Sequence, residues 1–140
     1  MKHNNPEISI LHEYGHYIDM KAFSKIGAEF ATSLNNPMLN GLFDALNKSK
    51  CVTALRREVS RASVSKEISE YLKYLLKPKE LFARSYSQYI PTKSGNPTLL
   101  TQLNNERASS LFKMLWDDDD FIEIMREFDI IMMGLKWTKK

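Results

Sequence analysis

Cysteine is almost missing from this 140-residue chain: Cys51 stands alone, so no intrachain disulfide can form and no thiolate cluster is available for a structural zinc finger. A reducing compartment suits that composition. Glycine and proline are scarce, five of each, which excludes a low-complexity or disordered chain. An excess of one charge is also lacking. Twenty Lys and Arg against 17 Asp and Glu leave a formal +3, too little to call for a nucleic-acid or acidic-lipid partner. No apolar run approaches the roughly 18 residues of a membrane span. The opening MKHNNPEISIL lacks the unbroken apolar core of a secretion signal. Neither nucleic acid nor membrane is therefore an expected partner. Period-2 alternation and internal repeats are not found either, which argues against a sheet protein and a solenoid.

What is present is an ordinary globular composition, 43% hydrophobic and 26% charged, in a length that makes one domain, residues 1–140. The hydrophobic spacing is helical throughout, so the expected fold is all-α or nearly so. Asn5-Pro6-Glu7 reads as a helix start, with an Asx cap, proline at the first turn and a carboxylate at the positive end. That helix is expected to reach about Phe23. Further helical segments are expected around Ile26–Leu34, Met38–Leu46 and Ser63–Leu76, with a turn over 48–53. Pro78 opens another helix, carrying Leu81, Phe82, Ala83, Tyr86 and Ile90 and stopped at Pro91. PTKSGNPT at 91–98 is the expected loop. One or two helices follow from Leu99 to Trp116, and Asp117–Asp120 start a last helix reaching about Leu135.

The chemistry lies in His12-Glu13-Tyr14-Gly15-His16, which consumes two of the three histidines in five consecutive positions. HExxH on a helix puts two imidazoles one turn apart on one face, where their nitrogens can meet a Zn²⁺ ion at about 2.0–2.1 Å. Glu13 then points toward the open metal position and can take a proton from the attacking water, while the metal polarises the scissile carbonyl. Gly15 weakens its helix by about 0.8–1 kcal/mol relative to alanine, which suggests another helix passing close.

A catalytic zinc site needs a third protein ligand, and Glu80 is the best candidate. Its competing role is to favour the helix dipole and pair with Arg84 at i+4. Asp19, three residues after His16, can hold a ligand imidazole by a hydrogen bond, serve as a third ligand, or lie on the surface. Arg84, Tyr86 and Tyr89 are candidates to stabilise the developing oxyanion, each with an ordinary packing or pairing alternative. His3 and Cys51 stay outside the site, Cys51 as a small buried hydrophobe. Met132-Met133 and Trp116/Trp137 read as packing, and Asp117–Asp120 as a helix-start cap.

The blocks His12-Glu13-Tyr14-Gly15-His16-Tyr17-Ile18-Asp19 and Glu80-Leu81-Phe82-Ala83-Arg84 resemble the metallopeptidase-like domain of phage head-morphogenesis (minor head) proteins and large polyvalent phage proteins. That family pairs an HExGHxxD helix with a downstream ELFAR-type segment. The resemblance covers two short blocks. It implies a compact helical zincin-like domain in which the HExxH helix packs against a Glu-bearing helix, a gluzincin-like site with His12, His16 and Glu80 as ligands, and Glu13 as base. Phage-repressor-cleaving metallopeptidases are a second, weaker resemblance, through the HExxH, the later Glu and the Ile90-Pro91 ending; Asp19 and Arg84 fit the first group better. Gluzincins usually carry an acidic residue four positions after the ligand glutamate. Arg84 stands there, which leaves Asp19 as the substitute.

Two functions are expected to compete: a zinc metallopeptidase acting on a peptide or protein, and a catalytically silent zinc-bearing structural or interaction module of a phage assembly. The phage setting implies other phage structural proteins as partners and a cytoplasmic or virion-associated location. Eleven residues before His12 leave no room for the strands that usually precede such a helix, so the chain is expected to be a piece of a longer protein.

Overall fold

A computed structural model describes residues 5–21, 39–61, 65–109 and 113–134. Among them are seven helices and no strand: α1 Pro6–Lys21, α2 Asn40–Lys48, α3 Lys50–Val59, α4 Lys66–Leu75, α5 Pro78–Ser94, α6 Pro97–Ser109 and α7 Ile122–Gly134. The all-α reading holds. His3, Phe23, the 26–34 segment and Trp137 lie outside the described residues.

The organising element is α5, which packs against α1, α4, α6 and α7. Every residue from Glu80 to Tyr89 is buried, so over this stretch the helix has no solvent face and its sequence shows no single apolar stripe. Burying so many polar groups requires partners inside the protein. Ser85 donates to the Leu81 carbonyl at 2.7 Å and Ser87 to that of Arg84 at 2.7 Å. Gln88 clamps the backbone of Trp116 from both sides, donating to its carbonyl at 2.7 Å and accepting from its N–H at 3.0 Å. The Trp116 indole in turn donates to Ser49 Oγ at 2.9 Å. Phe82 and Tyr89 stack around Phe128 of α7 and complete the core beside Ile18, Leu72 and Leu81.

Four boundaries differ from expectation. The 48–53 turn is instead the start of α3, with only Ser49 breaking the chain between two helices. Ser49 Oγ accepts from Val52 N–H, and Asp120 takes the Lys50 and Cys51 N–H groups at 2.9 and 3.0 Å, so the cap comes from a side chain far along the sequence. Asp117–Asp120 therefore do not open the last helix directly. They form a turn before α7, and one of them serves α3. Pro91 does not end α5. It forfeits only its own missing N–H bond, and the helix runs to Ser94, where Gly95 at φ 67° closes it in the left-handed conformation. The expected 91–98 loop shrinks to Gly95-Asn96, since Asn96 Oδ1 accepts from Leu99 N–H at 3.1 Å and Pro97 begins α6.

The start of α1 is tied to α6 rather than capped by its own asparagine. Asn5 Nδ2 donates to the buried Glu106 at 2.7 Å, while Gln102 Oε1 accepts the Glu7 and Ile8 N–H groups at 3.0 and 3.2 Å. Cys51, Trp116 and Met132 are buried as packing residues, whereas Met133 is 70% exposed. Among the described residues no helix is long and apolar enough to cross a membrane.

The α1–α5 contact depends on Gly15. A methyl group there would lie 2.9 Å from Ala83 Cα, a contact with backbone that cannot swing aside. Gly15→Ala is expected to destabilise by up to about 2 kcal/mol in urea unfolding, overpacking of ~1–3 kcal/mol being offset by ~1 kcal/mol of helix propensity. At Gly134 nothing among the described residues lies within 4 Å of an added methyl, so Gly134→Ala is expected to be neutral or slightly stabilising.

Candidate metal centre

Helix α1 presents its histidines on the border between its buried and open faces. Ile8, Gly15, Ile18 and Asp19 face inward, Glu13, Tyr14 and Tyr17 face outward, and His12 and His16 lie half-buried between. Their rings are 5.0 Å apart, centroid to centroid, at 77°. Across from them α5 delivers Glu80 from its first turn: Oε1 lies 3.2 Å from His12 Nε2 and Oε2 lies 3.1 Å from His16 Nε2. One carboxylate thus meets both imidazoles. The ligand atoms offered by the three residues all lie within 4.8 Å of one another. Two imidazole nitrogens and one carboxylate oxygen match the donor set of an open, three-ligand zinc site, so the three residues could hold a Zn²⁺ ion.

Glu80 has a further partner that sequence reasoning missed. Tyr74, at the end of α4, donates its hydroxyl to Oε2 at 2.8 Å. Burial pushes the Glu80 carboxyl up, but the bonds from His12, His16 and Tyr74 overcome it and hold the group well below the usual carboxylate range. The same bond is the largest cause raising the Tyr74 phenol to about 12, followed by burial and by the negative charges of Glu80 and Glu13. The spacing from Tyr74 to Glu80 crosses a helix boundary, so no single-helix periodicity marks the pair. The Pro78 helix start was the available signal, since it turns the chain back over α4.

The other expected site residues fall as follows. Glu13 is exposed on the histidine-bearing helix. Asp19 is fully buried on the same helix, which removes its surface alternative; it is not one of the three grouped residues. Arg84 makes no ion pair with Glu80. It is 5% exposed, donates from Nε to the Met114 carbonyl at 3.1 Å and lies 6.0 Å from the Trp116 ring centre. Burial pulls its guanidinium below the ordinary value, against the charges of Cys51 and Glu80. Tyr86 is held among the rings of Tyr14 and Phe128, and Tyr89 donates to Asp129 at 2.7 Å. None of these three belongs to the His12, His16 and Glu80 group, whereas the Tyr74 hydroxyl reaches Glu80.

No protein-family model, curated protein or solved structure matches this chain.

Replacing Glu80 by Ala is expected to weaken zinc retention by more than the ~10–100-fold typical of lost outer partners, read as metal content after dialysis against graded chelator. A depressed carboxyl stabilises the fold above its unfolded pKa, about 4.5, and that contribution drains away as pH falls below it. Metal-free protein is therefore expected to lose stability to urea more steeply below about pH 4.5 than its Glu80→Gln variant.

Proposed function

We propose that the chain is a zinc-dependent metallopeptidase domain of gluzincin type, acting on a peptide or protein, with His12, His16 and Glu80 as the metal ligands and Glu13 as general base. The observation that carries this reading is the reach of the Glu80 carboxylate to both HExxH imidazoles, at 3.2 and 3.1 Å, from another helix. An arrangement of two one-turn histidines and a converging glutamate has an evident use in holding a divalent ion.

A bound Zn²⁺ would polarise the scissile carbonyl and make water nucleophilic near neutral pH. The chain's own residues do the rest. Glu13, adjacent to His12 and open to solvent, accepts the proton of the attacking water and passes it to the departing nitrogen. Its exposure leaves it accessible to substrate. His12 and His16 are oriented by a helix locked onto α5 at Gly15, and Glu80 by its bond from Tyr74. The likeness of the two sequence blocks to phage head-morphogenesis and polyvalent proteins supports a phage-assembly setting, cytoplasmic or virion-associated, with other phage structural proteins as neighbours.

A second reading, a zinc-bearing structural module, draws support from the placement of the ligands on two different helices. An ion held there cross-links α1 to α5 whether or not a peptide is cut.

Glu13→Gln separates the two. For the peptidase, turnover of a fluorogenic peptide library falls by about 10²–10⁴-fold while bound zinc, counted by atomic emission, is unchanged. Zinc-loaded wild-type protein that cleaves nothing in the library favours the structural module.

A further inference from the structure

Glu80 has two oxygens, and the structure treats them differently. Oε1 lies 3.2 Å from His12 Nε2, whereas Oε2 lies 3.1 Å from His16 Nε2 and also accepts the Tyr74 hydroxyl at 2.8 Å. We propose that Tyr74 is the positioning residue of the metal centre: it occupies Oε2 and commits Glu80 to bind the ion through Oε1 alone, so that three protein atoms hold the metal and a fourth position stays open. The proposal rests on the metal-binding reading above.

The bond is built into the backbone. The chain passes from α4 to α5 through Leu76 and Lys77, where Lys77 N–H donates to the Tyr74 carbonyl at 3.1 Å and Glu80 N–H to the Lys77 carbonyl at 2.9 Å. Two successive turns of hydrogen bonding thus fix the tyrosine relative to the glutamate. One helical turn earlier, Tyr71 reaches Met114 Sδ at 3.4 Å and anchors the same side of α4. The Tyr74 ring is 45% exposed, so its hydroxyl could be satisfied by water at little cost, yet it turns inward to the carboxylate. A carboxylate with both oxygens free can bind an ion through one oxygen or chelate it through two. One whose second oxygen already accepts a short O–H bond presents a single donor atom, and a four-coordinate site with an exchangeable position is the geometry zinc hydrolysis needs.

A merely structural tyrosine would affect stability without touching coordination, so the test reads coordination directly. Wild-type protein and Tyr74→Phe are loaded with Co²⁺ in place of zinc, and their visible absorption and zinc affinity are compared, with far-UV circular dichroism confirming the fold of each. Wild type is expected to give the intense bands of four-coordinate cobalt. Tyr74→Phe is expected to lose that intensity several-fold, as the freed oxygen joins the ion, and to bind zinc about 10–100-fold more weakly. Placing 4-aminophenylalanine at position 74, which returns an N–H donor to the same ring, is expected to restore the wild-type spectrum. Identical cobalt spectra for wild type and Tyr74→Phe overturn the role of Tyr74 and leave the metal site standing. Wild-type protein that takes up neither cobalt nor zinc overturns the metal reading and this proposal with it.

Discussion

Everything in this molecule turns on how closely α1 approaches α5. The two helices meet where Gly15 faces the Ala83 backbone, at a separation that admits a hydrogen and no methyl group. That approach does two things. It helps cover the inward side of α1, where Ile8, Ile18 and Asp19 are buried, and it brings His12 and His16 into reach of Glu80. The close packing and the His12, His16 and Glu80 cluster therefore depend on one helix contact, and Gly15, inside the HExxH sequence, stands at it.

The central helix pays for its position in polar groups. Glu80, Arg84, Ser85, Ser87 and Gln88 are all buried on α5. Ser85 and Ser87 close on their own helix, and Gln88 holds the chain at Trp116. Glu80 is the exception, because its partners are groups with a chemical use rather than backbone carbonyls. A fold that only needed a filled core could place an apolar residue there at less desolvation cost, so the retention of a buried carboxylate against two imidazoles fits a site better than it fits packing.

Much of this was readable in the sequence, for identifiable reasons. His12 and His16 share one helix, so spacing alone fixes their relative position, and the glycine between them announced a close neighbour. Glu80 was legible as a candidate from its place at a helix start, and the resemblance strengthened it, but its reach across to α1 depends on how two helices pack. Tyr74 was not legible, because its relation to Glu80 is set by the turn at Leu76-Lys77. The same physics explains α3, whose first N–H groups are taken by Asp120, a partner 70 and 69 residues away. Pro91 misled for the opposite reason: a proline near a helix end reads as a stop, yet surrounding contacts carried the helix one turn past it. Arg84, Tyr86 and Tyr89 have residue types suited to catalysis, and only tertiary packing assigns them to the backbone of Met114, to neighbouring rings and to Asp129.

His12 and Glu80 are 68 residues apart in the chain. During synthesis the histidine pair leaves the ribosome long before the carboxylate that completes the set, so for that interval the protein carries two of the three clustered residues. The cluster comes into being with the docking of α5. Any ion then held there reports that the long-range fold has formed, and chemistry that depends on it is silent in the unfinished polypeptide.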